Sequence, residues 1–412
     1  MTTGARTAEA QTLLVQMLDP AIRADPYPLF ARIRELGPMA LPEMNMVVFS
    51  GFAHCDEVLR HPASCSDGMK SAVVQRQIAE GVTPQRTATP GFLFLDPPDH
   101  TRLRKLAQQA FSPKAVRALE PEIGALVGEL LDKVPTSGEL DVVTDLAYPL
   151  PVAVICRLLG VPLDDEPQFS RAAALLAQGL DPIMTLTGQA SEDADERLQA
   201  GEWMREYLVD LIERRRATPR EDMISALIAA EEDGDQLTAD EIVATCNLLL
   251  IAGHETTVNL IGNAVLAMLR EPEHWRALAA DPERANAIVE ETLRYDPPVQ
   301  LVMRIAGADM TIGDRDSVVV RQGDSMLLLL AAAQRDPDAF GRPDAFDPDR
   351  EDLRHLAFGK GPHFCLGAPL ARLEARIALA ELARRWPDAH LRGAPVYKPN
   401  VTLRGLASLP LG

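Results

Sequence analysis

The chain has 412 residues, of which 47% are hydrophobic and 25% charged, and its formal net charge is −19. This composition is typical of a folded globular protein, and the length predicts one large compound domain or two domains. The acidic balance argues against nucleic acid or an anionic membrane as a partner, although one locally basic face stays compatible with it. No apolar run near the N-terminus is long enough to span a bilayer, which predicts a cytoplasmic protein.

The first half of the chain is predicted to be mainly helical. Residues 1–12 lack a clear pattern and are expected to be loosely structured, and 46–50 has the composition of a short strand. Poor periodicity across 64–90, with many Gly, Ser, Thr and Pro residues, predicts a long functional or mobile loop. Apolar periodicity and helix-start signals predict helices at 29–36, 51–60, 100–111, 114–134, 150–159, 166–178, 192–216 and 221–231.

The longest predicted helix begins after Thr238. The sequence Thr238-Ala-Asp-Glu241 has the form of a capping box, and Pro272 ends the pattern after Arg270. Such a helix is about 48 Å long, enough to cross the whole molecule. Polar residues interrupt its apolar run, so it is predicted to be a buried central helix and not a membrane span. These residues are Asn247, His254, Glu255, Asn259 and Asn263.

The C-terminal part mixes helices with short strands. Helices are predicted at 281–295 and 366–386, short strands at 300–305, 310–312, 317–320 and 325–330, and a terminal hairpin at 400–410. The fold class is therefore mainly α with a small β portion. No internal repeat or flexible linker is visible, so the chain 1–412 is predicted to form a single domain. Its β-rich parts lie at about 39–50, 297–330 and 396–410.

The middle of the long helix breaks the rules of helix composition. In Ala252-Gly-His-Glu-Thr-Thr257, a glycine and two consecutive β-branched residues are poor helix formers. The Thr256 hydroxyl can bond back to the Ala252 carbonyl and bend the helix. An acid and a hydroxyl side by side at such a place indicate a functional site. From this pattern alone, a kink that serves packing is an equally good interpretation.

The segment Phe358-Gly-Lys-Gly-Pro-His-Phe-Cys-Leu-Gly367 puts a cysteine just before a helix N-terminus. The unpaired N–H groups and the positive end of the helix dipole favour the thiolate of Cys365, the form that binds metals and attacks electrophiles. Its glycines permit close approach of a flat group to the backbone. From these residues alone, Cys365 could be a nucleophile, an iron ligand or a core residue. Five scattered cysteines without a C-x-x-C pair argue against a disulfide framework or a zinc site.

This segment resembles the haem-binding loop of the cytochrome P-450 family, Phe-x-x-Gly-x-His/Arg-x-Cys-x-Gly. Phe358, Gly361, His363, Cys365 and Gly367 match it. Two shorter family motifs occur in the expected order, the mid-helix segment 252–257 and a Glu-x-x-Arg pair at 291–294. The resemblance covers nearly the whole chain and implies the P-450 fold, with the long central helix over a haem b.

The resemblance also implies which residues bind the cofactor. Cys365 is expected to be the metal ligand, an axial thiolate that favours O–O cleavage. Four side chains are expected to bind the two haem propionates by charge-assisted hydrogen bonds, namely His100, Arg104, Arg304 and His363. From spacing alone, a solvated pair on one helix face is the favoured interpretation of the first two, and His363 equally fits a helix cap. The other residues expected to line the haem are Ala252, Gly253, Phe358, Gly359 and Gly367.

Two adjacent residues are expected to be catalytic because they match the family's acid–alcohol pair. Thr256 would hydrogen-bond bound dioxygen or a neighbouring water, and Glu255 would relay protons from solvent. A hydroxyl suits this role since it both donates and accepts. His254 does not match a defining position and is given no catalytic role. The pair Glu291 and Arg294 is interpreted as structural, with a downstream partner expected near 346–350.

The resemblance implies a monooxygenase that inserts one atom of O₂ into an organic substrate. The sequence carries no nicotinamide or flavin fingerprint, so electrons are expected from a ferredoxin and its NAD(P)H-dependent reductase. A basic docking face is expected from Arg102, Lys105, Lys114, Arg117, Lys360 and Arg372. A monomer is expected.

The family position predicts substrate-pocket walls at 64–95, 180–186, 248–252, 299–302 and 403–406. These segments are mostly apolar and indicate a lipophilic substrate. Basic residues are sparse there, comprising Lys70, Arg76, Arg86 and Arg404.

Two rival interpretations belong to other classes of protein. One is a haem-thiolate enzyme that uses peroxide or works without external electrons. The other is a haem-binding sensor without turnover. The acid–alcohol pair at 255–256 counts against both, because neither needs a proton relay.

Overall fold

The computed structural model describes residues 3–81, 89–134, 139–187, 193–232, 237–314 and 316–412. Helices dominate and the strands are short, so the predicted fold class, mainly α with a small β portion, is confirmed. The first helices are α1 Thr3–Gln16, α2 Tyr27–Glu35, α3 Phe52–Arg60, α4 Ala72–Ala79, α5 Asp99–Gln108, α6 Pro113–Ala118, α7 Glu120–Asp132, α8 Pro149–Leu159 and α9 Glu166–Gln178. The remaining helices are α10 Ile183–Thr187, α11 Ala194–Ala217, α12 Met223–Glu232, α13 Ala239–Arg270, α14 Pro272–Ala280, α15 Ala285–Tyr295, α16 Leu330–Ala333 and α17 Ala368–Arg385.

The strands come from both ends of the chain. They are β1 Met39–Leu41, β2 Met46–Phe49, β3 Ser64–Cys65, β4 Leu140–Asp141, β5 Val302–Ala306, β6 Met310–Ile312, β7 Val318–Val320, β8 Ser325–Leu328, β9 Val396–Tyr397, β10 Leu406–Ser408 and β11 Pro410–Leu411. The largest sheet has the order β1-β2-β8-β5-β3, in which β2 and β8 run parallel and the other pairs antiparallel. It joins the region after α2 to the region after α15.

The central helix α13 begins and ends where the sequence predicts. Thr238 and Glu241 form the capping box, each side chain bonding the other residue's backbone N–H. The helix packs against α8, α9, α11, α14, α15 and α17. Most of its length is buried in the main hydrophobic core, because its apolar residues occur on every face.

Strand β2 shows how a continuous apolar run divides two smaller cores. All four of its residues are buried. Side chains of a strand alternate between faces. Met46 and Val48 therefore enter the core that also holds α1 and α2, whereas Val47 and Phe49 enter the core beside α3. This sheet, buried on both faces, carries Arg304 on β5 toward the candidate site.

Several predicted elements are wrong and have a physical explanation. Residues 3–16 form a helix, because Ala10, Leu14 and neighbouring Met17 recur at helical spacing and pack on α2 and β1. The predicted loop 64–90 contains helix α4, while residues 82–88 lie outside the described part. The single helix predicted at 114–134 is two helices, α6 and α7, and a proline, Pro121, stands in the first turn of α7.

Two further corrections concern the end of the chain and the residues after α13. Pro272 does more than end α13: it lies in the first turn of α14, which buries Trp275 and Leu278. Residues 400–410 do not form the predicted terminal hairpin, because β10 and β11 do not pair with each other. Instead β10 pairs with β9, and β11 pairs with β4 far away in the sequence.

Among the helices of the described residues, none has both the length and the apolar character needed to cross a membrane.

Candidate active site

The cysteine loop is folded tightly back on itself. The backbone N–H of Cys365 donates to the carbonyl oxygen of Phe358 at 2.8 Å, which closes the loop at its base. Gly361 has a φ of +66°, and a Cβ there would lie 2.8 Å from the carbonyl oxygen of Leu59. Only glycine fits this conformation and this close approach. Gly367 differs, since no described residue other than its two chain neighbours has an atom within 4 Å of its Cβ position. Gly361 is therefore needed for backbone packing, whereas Gly367 lies beside open space.

The Cys365 thiol does not behave as the helix-start argument predicts. The backbone N–H groups of Gly367 and Ala368 and the guanidinium groups of Arg104 and Arg372 all lower its pKa. Burial raises the pKa more strongly, so the net shift is upward. The expectation that the free side chain is a thiolate is therefore wrong, because desolvation outweighs the helix dipole. A bound iron would hold the sulfur deprotonated.

Two of the predicted propionate ligands lie side by side although they are far apart in sequence. The rings of His100 on α5 and His363 in the cysteine loop have centroids 4.1 Å apart. Both ring nitrogens of the buried His100, and Nδ1 of His363, find no hydrogen-bond partner among the described residues. Burial, together with the positive charge of Arg304, lowers the pKa of His363 to about 3. Burial and the positive charge of Arg104 also lower the pKa of His100. At pH 7 the His363 ring is therefore neutral, and the surroundings of His100 likewise favour its neutral form.

The two predicted arginine ligands belong to the same cluster. Burial lowers the pKa of Arg304 to about 10, and the Asp96 carboxylate only partly opposes this shift. Its Nη1 donates to the carbonyl oxygen of Met303, while Asp96 itself is paired with Lys70 at 2.8 Å. Arg104 donates to the carbonyl oxygen of Phe364, next to Cys365.

The structure thus brings together all four predicted donors, His100, Arg104, Arg304 and His363. Neutral imidazoles and guanidinium groups converge here with few acceptors of their own. Unpartnered buried polar atoms are rare in folded proteins. A flat ligand that carries two carboxylates would satisfy them, so the residues present fit a haem.

The middle of α13 opens to one side at the predicted alcohol. Ala252 is exposed and Thr256, one turn later, is partly exposed, although the following residues of α13 are buried. The Thr256 hydroxyl donates to the Ala252 carbonyl oxygen at 3.0 Å, as predicted, and its lone pairs stay available to accept. Gly253 does not share this opening, because a Cβ there would meet Ile155 of α8 at 3.2 Å. Its absent side chain is explained by helix packing.

The predicted acid, Glu255, points to another face of α13. It is 6% exposed, and its Oε1 accepts a hydrogen bond from Nζ of Lys398 at 2.7 Å. The same ammonium donates to Oδ1 of Asn259 at 3.1 Å. His254 lies 3.6 Å from the other carboxylate oxygen and packs edge-on against Tyr148. The structure therefore places the acid and the alcohol in different surroundings, and it connects the acid to the C-terminal segment.

The site residues predicted from the sequence include neither Lys398 nor Asn259. For Asn259 the signal was the i, i+4, i+8 spacing of Glu255, Asn259 and Asn263, which puts three polar groups on one stripe of a buried helix. Lys398 had no such signal. Asn263 also contacts the C-terminal segment, by donating to the carbonyl oxygen of Arg404. A buried polar stripe needs a polar partner, but the sequence could not show that the partner is the distant segment 396–408.

The Glu-x-x-Arg pair is buried, as predicted for a structural role. Glu291 and Arg294 are both 0% exposed and form a bidentate pair with distances of 2.7 and 2.8 Å. Nε of Arg350 donates to the same carboxylate at 2.9 Å, and the backbone N–H of Asp347 donates at 2.8 Å. The downstream partner therefore lies in the predicted stretch.

Several basic residues that were expected at the docking face or in the pocket walls already bond acidic or polar groups of the protein. Arg102 pairs with Glu241, and Arg372 pairs with Glu290, so neither guanidinium is a free docking charge. Among the pocket-wall residues, Arg404 forms a buried pair with Asp296, Lys70 pairs with Asp96, and Arg76 donates to Oδ1 of Asn45. Arg86 lies outside the described residues.

Comparison with known proteins identifies the class to which this fold and site belong. The family model described as cytochrome P-450 matches residues 38–387. A P-450 named 107B1, from Saccharopolyspora erythraea, is 37% identical and is covered over 98% of both chains. The vitamin D(3) 25-hydroxylase of Pseudonocardia autotrophica is 38% identical over 94% of this chain and 93% of that protein. The ligand-free crystal structure of Mycobacterium smegmatis CYP164A2 is 63% identical, covers 97% of this chain and 99% of that one, and has a TM-score of 0.92.

The chain therefore belongs to the cytochrome P-450 family. It is a P-450 monooxygenase, an oxidoreductase whose cofactor is a haem iron.

Proposed function

We propose that this protein inserts one atom of O₂ into a lipophilic organic substrate, with haem b as cofactor and Cys365 as its axial ligand. The observation that supports this best is the cluster around His100 and His363, whose unpartnered ring nitrogens lie beside two arginines. Nothing in a sensor or carrier requires the acid and alcohol of α13. The whole chain 1–412 is proposed to form one domain.

The family motifs and the geometry of the site together support one set of residues that would hold the haem. His100, Arg104, Arg304 and His363 would bind the two propionates. Phe358, Gly359 and Gly367 would contact the cysteine side of the macrocycle, and Ala252 the opposite side. Gly253 is retained as a haem contact through its backbone alone, because its Cβ position faces Ile155 of α8. When bound, the haem supplies the site at which dioxygen is reduced and its O–O bond is cleaved.

The chain's own residues supply and direct the protons that this reaction consumes. Thr256 Oγ1 accepts a proton-donating hydrogen bond from water and donates its own proton toward dioxygen, with the Ala252 carbonyl as its resting acceptor. Glu255 carries protons from solvent to the water that donates to Thr256. Its carboxylate is buried against Lys398, whose side chain is 15% exposed, so the route to solvent passes beside this ammonium.

A neutral lipophilic substrate is proposed because the described basic residues of the expected pocket walls already have acceptors. Arg404, Lys70 and Arg76 are engaged within the protein and are poor candidates for binding a substrate carboxylate. The name of the relative vitamin D(3) 25-hydroxylase is that of an enzyme acting on a lipophilic molecule. Electrons are proposed to come from a ferredoxin and its NAD(P)H-dependent reductase. A monomer in the cytoplasm stays a prediction.

The decisive experiment is the absorption spectrum of the reduced holoprotein with carbon monoxide. A thiolate-ligated haem gives a strongly red-shifted Soret band. Cys365→Ser is expected to abolish that band, whereas Cys65→Ser, a cysteine on β3, should retain it. A band at the position given by histidine-ligated haem in the wild type would contradict the proposal. A screen for substrate-induced Soret shifts would then sort lipophilic compounds from carboxylates.

A further inference from the structure

A carboxylate that the sequence motifs leave unassigned joins both ends of the cysteine loop. Glu290, next to Glu291 on α15, accepts from Nη2 of Arg372 at 3.0 Å and lies 3.1 Å from Nε2 of His355. Nε of Arg372 bonds its other oxygen. His355 precedes the loop, and Arg372 follows it on α17. One side chain of α15 thus fixes the two segments between which Cys365 is held.

The two partners of Glu290 also hold the aromatic ring of the loop. Cζ of Arg372 lies 4.6 Å from the ring centroid of Phe358, a cation–π geometry. The His355 ring lies 5.7 Å from the Phe358 ring at an interplanar angle of 62°. The carbonyl oxygen of Phe358 in turn accepts the backbone N–H of Cys365. Glu290 therefore positions Arg372, and Arg372 positions the Phe358 ring. The carbonyl group of Phe358 in turn positions the backbone of Cys365.

The charges of Arg372 and Glu290 also act on the Cys365 sulfur. The Arg372 guanidinium stacks on Phe358, whose carbonyl oxygen accepts the backbone N–H of Cys365, so its positive charge lies beside the loop that holds the sulfur and stabilises negative charge there. Hydrogen bonds from Arg372 and His355 outweigh burial and hold the pKa of Glu290 at about 2, so this carboxylate is ionised at neutral pH. The Glu290 charge opposes the Arg372 charge at short range. Arg376, one turn further along α17, pairs instead with Glu120.

We propose that Glu290 and Arg372 are positioning residues that set how strongly the Cys365 sulfur donates electrons to the metal. The positive charge of Arg372 stabilises negative charge on the sulfur, which weakens its donation to the metal, and the same side chain holds Phe358 against the loop. The negative charge of Glu290 partly cancels this electrostatic effect. This inference rests on the proposed role of Cys365 as iron ligand. Reduction adds one negative charge to the centre, so a nearby cation favours the reduced form and a nearby carboxylate disfavours it.

The test is the reduction potential of the holoprotein, measured by spectroelectrochemistry in three variants. Arg372→Met removes the cation and is expected to lower the potential. Glu290→Gln leaves the cation uncompensated and is expected to raise it. Arg376→Met is the matched control on the same helix and is expected to leave the potential unchanged. The carbon monoxide band and the unfolding midpoint of each variant show that the loop is intact.

Shifts of opposite sign for Arg372→Met and Glu290→Gln would support the inference, because mere distortion of the loop has no reason to reverse sign. Shifts in the same direction, or potentials equal to that of the wild type, would overturn it while leaving the thiolate assignment in place. If Arg372→Met does not retain haem, Glu290→Gln decides alone: a lowered or unchanged potential contradicts the inference. A wild-type protein without the red-shifted band would instead overturn the proposed function.

Discussion

Adjacent residues of α13 face different parts of the molecule. Thr256 lies on the stripe that opens at Ala252, whereas Glu255 lies on the stripe that meets the C-terminal segment. Residues one apart on a helix are separated by about 100°. The acid is therefore held by Lys398, and the alcohol is held by the Ala252 carbonyl. We expect variants of the two residues to have different consequences.

Thr256→Ala should uncouple electron use from product formation. Without the hydroxyl, protons reach dioxygen less selectively, and the yield of product per NADH should fall by at least about tenfold while NADH consumption continues. The measurement is the ratio of peroxide to product, with Thr257→Val as a matched control because Thr257 is buried. Unchanged coupling in Thr256→Ala would remove this hydroxyl from the mechanism and favour the peroxide-using alternative.

Lys398→Met should destabilise the protein. The Glu255 carboxylate would then be buried without its cation, at a cost of about 3 kcal/mol in the free energy of unfolding. Denaturant unfolding at pH 7 measures this, and Lys398→Arg should restore most of the stability. A loss in Lys398→Arg as large as that in Lys398→Met would mean that the positive charge at this position does not support Glu255.

Elements of distant origin converge on the cysteine loop. Helix α5 brings His100, strand β5 brings Arg304, and α15 brings both Glu290 and Glu291. Glu291 bonds Asp347 and Arg350 before the loop, and Glu290 bonds the residues 355 and 372 on either side of it. Neighbouring carboxylates on one helix thus support successive parts of the same segment.

The loop glycines allow a prediction at the scale of this element. Gly361→Ala should destabilise the protein by about 2 kcal/mol, because its positive φ is strained for alanine and a Cβ would press on Leu59. Gly367→Ala is the matched control, since its φ is −80° and nothing lies near its Cβ position. Thermal unfolding of haem-free protein measures both. Equal stabilities of the two variants would contradict the assignment of Gly361 to backbone packing.

The pH dependence of stability is a property of the whole molecule. Glu374 on α17 is 2% exposed with an unpartnered Oε2, and burial raises its pKa to about 8. Between the ordinary pKa of glutamate, about 4.5, and pH 8, only the unfolded chain releases this proton. The free energy of unfolding should therefore decline as the pH rises through this range, by an amount on the order of 4 kcal/mol.

Glu374→Gln should remove this decline and make the protein more stable than the wild type at pH 8. Glu381→Gln on the same helix is the control. Hydrogen bonds from Arg384 and Arg385 hold the pKa of Glu381 at about 2, so its contribution is present above about pH 4.5 and is lost only as the pH falls toward 2. Urea unfolding from pH 5 to 8 measures both slopes. A flat wild-type profile would mean that Glu374 is not neutral in the folded protein.

The net charge of −19 should repel an acidic electron donor except at a local basic face. Four of the predicted docking residues, Lys105, Lys114, Arg117 and Lys360, take part in no ion pair within the described ranges. Replacing all four by glutamine should slow electron transfer from a ferredoxin by about tenfold and weaken its salt dependence. Stopped-flow reduction of the iron measures this, with Arg376→Met as the control. An unchanged rate would exclude this face as the docking site.

The sequence by itself determined the elements whose signals are local. The capping box at Thr238, the length of α13, the Thr256 bond to Ala252 and the cysteine loop were all readable, because each depends on residues a few positions apart. The amphipathic spacing of α1 and the proline at the start of α14 are local signals of the same kind, although the predicted elements do not include these two helices.

Only the tertiary structure decided which distant groups meet. Lys398 reaches Glu255 across 143 residues, and β11 pairs with β4 across most of the chain. Burial likewise has no local signal, and it reversed the expected shift of the Cys365 pKa. The pair of Arg372 and Glu290 joins residues 82 positions apart and had no local signal either. Charge and desolvation depend on the summed surroundings of a group. For this reason the chemistry of the loop was predictable in kind, but its tuning was not.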